Sequence, residues 1–150
     1  GFHGGNMDAA DVCPGNKVFL PVNVPGALFH IGDGHAAQGD GEVCGVATEI
    51  PTRGTFTFDL IKANPIGTPR IESDEFIMAV GSARPMEDAA RIAFYELILW
   101  LEQDFGIDRM TGYQLCSQVA QVRLANMVDI LYSVVAKFPK KFLPQHRDSR

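Results

Sequence analysis

Three short doublets carry the residue types that can do chemistry: Asn6-x-Asp8, Asp33-x-His35 and Asp40-x-Glu42. In extended backbone, residues two apart point to one side, about 7 Å apart at Cα. Each doublet would then aim two donor atoms the same way. Together they offer one imidazole and several oxygens, a donor set that suits Zn²⁺, with Ca²⁺ and Mn²⁺ as alternatives. It is not a sulfur site. The second and third doublets lie within Leu28–Gly45, punctuated by Gly32, Gly34, Gly39 and Gly41. That density of glycine keeps the backbone tight and unobstructed around ionisable groups. A purely structural turn, with Asp33 and Asp40 capping backbone amides, explains the glycines and aspartates but not His35 and Glu42.

Other motifs fit poorly. Gly32-Asp33-Gly34 opens like a dinucleotide fingerprint, but a second Gly-rich turn and a strand follow where that motif needs a helix. The spacing of acids is not that of an EF-hand, and no GxSxG is present. Cys44 would share a face with Glu42 if Glu42–Ile50 were a strand. A thiol nucleophile needs an activating base or cation, and none is adjacent in sequence; a buried, inert cysteine is the commoner case. His30 alternates with Leu28 and reads as a partly buried, hydrogen-bonded imidazole. His3 reads as exposed, and His146 sits in the tail without a role.

The elements that must position the doublets fall into two halves. Before residue 84 the chain reads as short β elements. Lys17–Val22 and Val24–Ile31 read as strands, with Pro21 and Pro25 at sheet edges, at strand ends or beside a bulge. Glu42–Ile50 and Arg53–Ile61 alternate, the latter with Phe56 and Phe58 on one face. Glu75–Gly81 is a further strand. Pro85–Phe105 then predicts a long helix, with Glu87 and Asp88 in the first turn and Gly106 closing it. Its core would contain Phe94, Leu97, Trp100 and Leu101, with Arg91, Glu96 and Gln103 in water. Asp108 predicts the N-cap of a second helix over Arg109–Val119. Residues 121–142 fit strand or continuous helix, and the alternation in Tyr132–Phe138 favours strand. The fold class is therefore α+β: a β-rich N-terminal half of short, mostly antiparallel strands, then two helices and a C-terminal β segment.

Composition bounds the function. The 150 residues suit one domain, and 46% hydrophobic with 21% charged residues is ordinary for a soluble globular chain. No apolar run nears the roughly 20 residues of a membrane helix. The net charge is −5, from 13 basic and 18 acidic residues. Lys137, Lys140, Lys141, Arg147 and Arg150 concentrate positive charge at the end, read as a solvated tail. The body before it is strongly acidic, which argues against a nucleic-acid partner. Cys13, Cys44 and Cys116 are odd in number and form no CxxC, which suits a reducing, cytoplasmic compartment. The chain begins at Gly1 without a starting Met, so an upstream segment is expected.

From Gly4-Gly5-Asn6-x-Asp8, through Leu20-Pro21-Val22-x-Val24-Pro25-Gly26-Ala27-Leu28-Phe29, to Gly32-Asp33-Gly34-His35-Ala36-Ala37-Gln38-Gly39-Asp40-Gly41-Glu42-Val43-Cys44-Gly45, the chain resembles the acetamidase/formamidase family. The likeness is dense to about Glu49 and looser through the Pro85 helix, the Asp108 helix and Val128-Asp129. It implies hydrolysis of small amides such as formamide and acetamide, a β-rich fold with helices near the C-terminus, and a homo-oligomer. Family chains are longer, so this one corresponds to their C-terminal part. The resemblance further implies Asp8 and His35 as first metal ligands, with Asn6 and Asp33 next. Glu42 would be the proton-transfer carboxylate, with Asp40 as its catalytic neighbour, holding a ligand or the Gly-rich turn. The alternative is a non-catalytic metal-binding or assembly domain lacking the N-terminal half.

Overall fold

The computed structural model describes residues 1–144; the expectations for His146, Arg147 and Arg150 lie outside that range. The elements are β1 (Lys17–Phe19), β2 (Arg70–Glu72), β3 (Phe76–Ala83), α1 (Met86–Phe105), α2 (Arg109–Val119), β4 (Gln121–Asn126) and β5 (Tyr132–Pro139), then a short 3₁₀ turn, Lys140–Phe142. The strands form one antiparallel sheet in the order β1-β2-β3-β5-β4. The α+β class stands, but most of the sheet comes from the middle and the end of the chain.

The centre of the sheet, β3 and β5, is buried on both faces. Ile77 and Ala79 of β3, with Ala136 and Phe138 of β5, meet Ala93, Leu97, Trp100 and Leu101 of α1. The approach is close at Gly81, where a Cβ would lie 2.0 Å from the Ala89 carbonyl oxygen. The opposite face offers Met78, Val80, Val135 and Ala125, covered by Met7 and Ala9 of the N-terminal segment. That cover brings the first doublet to the sheet. Capping sets the helix ends as expected. Asp108 accepts from the backbone N–H groups of Met110 and Thr111, and Gly106 closes α1 at a φ of 65°. Pro85 stands just before the first helical residue.

Several expected elements are absent. Val24–Ile31, Glu42–Ile50 and Arg53–Ile61 are not strands, and Lys17–Val22 stops at Phe19, two residues before Pro21. Alternation describes side chains, but a strand also needs a hydrogen-bonding neighbour. Ala27 and Leu28 take left-handed φ values of 58° and 56°, which interrupts extension. Phe56 and Phe58 lean on Phe29, with ring centroids 5.9 and 4.9 Å from it, yet all three stay exposed.

The surroundings of four polar residues also differ from expectation. Glu96 is buried, because Arg70 reaches it at 2.7 Å, and Gln103 accepts from the same guanidinium at 2.9 Å. Lys137 and Lys140 do not belong to a solvated tail: they pair with Asp11 and Glu72 at 2.7 and 2.5 Å. His30 is exposed rather than partly buried.

Candidate active site

Four backbone pieces meet over the N-terminal-segment face of the sheet. The first carries Asn6 and Asp8; Met7 and Ala9 face the core between and beside them. The second is a short ladder. His35 bridges Glu49, flanked by bonds from Ala36 N–H to Thr48 O (2.9 Å) and from Ile50 N–H to Gly34 O (3.1 Å). Residues opposed in this way bring their side chains together. The third is Gly39–Glu42. Gly41 donates to Leu124 O at 2.8 Å and accepts from Met127 N–H at 3.0 Å, which ties the loop to the end of β4. The fourth is the β4–β5 connection, which carries Asp129 and is held by Arg84, a donor to the Asp129 carbonyl at 2.6 Å.

A bulge in β4 serves the same site. The register shifts between Leu124 and Asn126, so that Asn126 opposes Ser133, on the face of Val135. Bulges commonly re-aim a side chain in this way. The Asn126 amide donates to Asp8 Oδ2 at 3.1 Å and to Met7 O at 3.3 Å.

The result is a cluster of one imidazole and five carboxylates. Nε2 of His35 lies 3.3 Å from Asp33 Oδ1, 3.2 Å from Glu49 Oε1 and 4.0 Å from Glu42 Oε1. Asp8, Glu42 and Asp129 form a second, all-oxygen group whose oxygens lie within 4.8 Å of one another. Asn6 caps that group, donating to Asp129 Oδ2 at 2.6 Å and to Asp8 Oδ2 at 3.3 Å. Glu42 is buried and touches both groups.

Crowding shows in the acid strengths. Burial, followed by the Asp129 hydrogen bond and nearby carboxylates, pushes the Asp8 carboxyl up to about 7. Burial also raises Glu42, against the pull of His35. The hydrogen bond to Gln38 raises His35, opposed by burial and helped by Glu49 and Asp33. Like charges this close need a proton or a cation between them.

The backbone of the site is unusual. Asn6, Asp8, Asp33 and Glu42 all take positive φ, at 51°, 44°, 61° and 45°. Non-glycine residues held there cost of order 1–3 kcal/mol each and gather at functional sites. The doublets therefore converge through left-handed turns, not through the extended geometry that their spacing suggests. Asn6-x-Asp8 and Asp33-x-His35 each stay together. Asp40-x-Glu42 splits: Glu42 turns inward, whereas Asp40 pairs with Arg123 at 2.5 Å and is exposed. The thiol alternative loses its geometric basis too. Without a strand at 42–50, Cys44 is exposed, its thiol donating to Val46 O at 3.4 Å.

The acetamidase/formamidase family model matches residues 2–143. This chain belongs to the acetamidase/formamidase family. A crystal structure of acetamidase from Yersinia enterocolitica superposes with a TM-score of 0.88 at 49% identity, over 96% of this chain and 44% of that one. Acetamidase from Bacillus halodurans gives 0.79 at 26% identity, over 95% and 48%. Acetamidase of Mycolicibacterium smegmatis is 40% identical over 82 residues, 47% of this chain and 20% of its own length. The chain thus spans about half the length of these solved acetamidases.

Glu49 and Asp129 are the site members that sequence spacing does not single out. Glu49 follows the loop on the strand face opposite Glu42, so alternation assigned it elsewhere. Asp129 lies 123 residues from its partner Asn6. The only pointer to it was the looser family likeness at Val128-Asp129.

Proposed function

We propose that this chain supplies the metal-holding half of a hydrolase that cleaves small aliphatic amides, formamide and acetamide among them, to the acid and ammonia. The observation that carries the reading is Nε2 of His35, which is buried, has no hydrogen-bond partner and faces three carboxylates. A divalent ion fits the donors. Ligands about 2.1 Å from a tetrahedral ion stand roughly 3.4 Å apart, close to the 3.2 and 3.3 Å separating Nε2 from Glu49 and Asp33. Zinc is the first choice for this nitrogen-containing set, with calcium or manganese as alternatives.

When bound, such an ion would polarise the amide carbonyl and lower the pKa of a bound water to about 7. His35, Asp33 and Glu49 would hold it, with Asp8 and Asp129 beside them. Asn6 and Asn126 fix the Asp8 carboxylate by donating to it. Glu42 would accept the proton of the attacking water and return it to the departing nitrogen. Burial raises its pKa above the ordinary carboxylate value, against the pull of His35. Asp40, bound to Arg123, is assigned to holding the loop. The depression beside the loop is lined by Ala37, Gln38, Gly39, Glu42, Cys44 and Thr48, among others, which suits a small substrate.

The free thiols fit a reducing, cytoplasmic setting. The exposed Val22, Leu28, Phe29, Ile31, Phe58 and Leu60 fit burial in a homo-oligomer or against further chain. Among the described residues, no helix is long and apolar enough to cross a membrane.

The test is ammonia release from formamide and acetamide by the full-length protein, with and without chelator. Release that a chelator abolishes and added metal restores is expected. Tight metal content without ammonia would favour a non-catalytic metal-binding or assembly domain.

A further inference from the structure

Gln38 sits beside His35 at the edge of the substrate depression and takes no proton-transfer or ligand role in the amide chemistry above. Its side chain spans three groups. The nitrogen end meets two backbone carbonyls, those of Asp8 and Ala125, the latter at 3.1 Å. The oxygen end lies 2.9 Å from Nδ1 of His35. Carbonyl oxygens only accept, so the end facing both of them must be the NH₂ group. A flipped amide would set three oxygens against one another. The end facing His35 is therefore oxygen, which also only accepts, and Nδ1 must carry a proton.

A neutral imidazole has one proton to place. With it held at Nδ1, Nε2 presents a bare lone pair to Asp33, Glu49 and Glu42. In the other tautomer Nε2–H would donate to those carboxylates and obstruct a cation. We propose that Gln38 is a positioning residue that locks His35 in the Nδ1–H tautomer, leaving Nε2 ready to ligate a divalent cation. The same amide ties this lock to the backbone of Asp8 and to the bulged end of β4, so the two ligand groups and the imidazole share one anchor. The cation is that of the proposed hydrolase, and the inference rests on that reading for its purpose but not for its hydrogen-bond logic.

Two measurements on the full-length protein test it. The first is long-range ¹H–¹⁵N NMR of the metal-free protein with the ring neutral. Wild type is expected to show Nδ1 protonated and Nε2 bare, and Gln38→Met to lose that preference. The second is zinc affinity by competition with a chromophoric chelator. Gln38→Met should bind about 10- to 100-fold more weakly. Gln38→Glu keeps an acceptor on Nδ1 but loses the NH₂ anchor and sets an oxygen against the Asp8 and Ala125 carbonyls, so its affinity should fall between wild type and Gln38→Met. A role confined to bracing the backbone would instead weaken both variants equally, which overturns the proposal. So would Nε2 protonation in wild type, a result that stands even if Gln38→Met fails to fold. If the signature holds and wild type binds no zinc, the tautomer lock survives and the metal reading fails. If Gln38→Met binds zinc like wild type, the lock fails and the metal reading survives.

Discussion

Glu42 Oε1 lies 4.0 Å from His35 Nε2, and both side chains are buried. Asp40, two residues earlier, points to Arg123 and is exposed. The two acids of this doublet should therefore separate on mutation. Glu42→Gln in the full-length protein should lower amide turnover by about 10²-fold or more, the scale of a lost general acid–base. Asp40→Asn removes an exposed ion pair worth about 0.2–1 kcal/mol and should keep turnover within a few-fold. Steady-state rates on formamide decide between them; equal losses would return Asp40 to the chemistry.

The Asp8 carboxyl should make metal-free protein sensitive to pH. Its folded pKa, about 7, lies above the ordinary 3.8. A raised acid keeps its proton in the fold, so its contribution to stability is complete below about 4 and is lost as pH rises through about 7. Denaturant midpoints of chelator-treated protein should fall across that window. Saturating zinc or calcium should flatten the fall, because a cation replaces the proton and stabilises the state that binds it. A midpoint that does not fall across the window without metal would contradict the crowding described above.

Arg70 and Glu96 should behave as a pair. They meet at 2.7 Å with both side chains buried, and the guanidinium lies 5.1 Å from the Trp100 ring centre. Glu96→Ala strands a buried cation and should cost about 3–5 kcal/mol. The double variant Arg70→Met, Glu96→Leu should recover most of that loss. Trp100 fluorescence during urea unfolding reads both. Additive losses in the double variant would show that the pair is not coupled.

How much was legible in the sequence depended on how local the cause was. Asp108, Gly106 and Pro85 mark helix ends through bonds to their own neighbours, and α1 and α2 lie where these residues put them. Tyr132–Pro139 follows its alternation because β3 and β4 flank it. Arg53–Ile61 alternates as strongly but has no strand beside it, and remains irregular. Glu96 reads as a wet helix position until Arg70, from another element, is brought against it. In the site, the doublets identified Asp8, Asp33, His35 and Glu42 as chemically capable residues, and the structure brings these four together. The manner of their meeting was hidden, because left-handed turns at Asn6, Asp8, Asp33 and Glu42 leave no mark in spacing. Gln38 was unreadable for a similar reason: what fixes the direction of its amide on His35 is a pair of backbone carbonyls, one of them 87 residues away.

The most direct measurement is anomalous diffraction at the zinc edge from crystals of the full-length protein grown with zinc. The expected result is a peak about 2.0–2.2 Å from Nε2 of His35 and from carboxylate oxygens of Asp33 and Glu49, with Glu42 facing the same space. Side chains turned apart into solvent with no peak among them, in a protein that still releases ammonia after chelation, would contradict it.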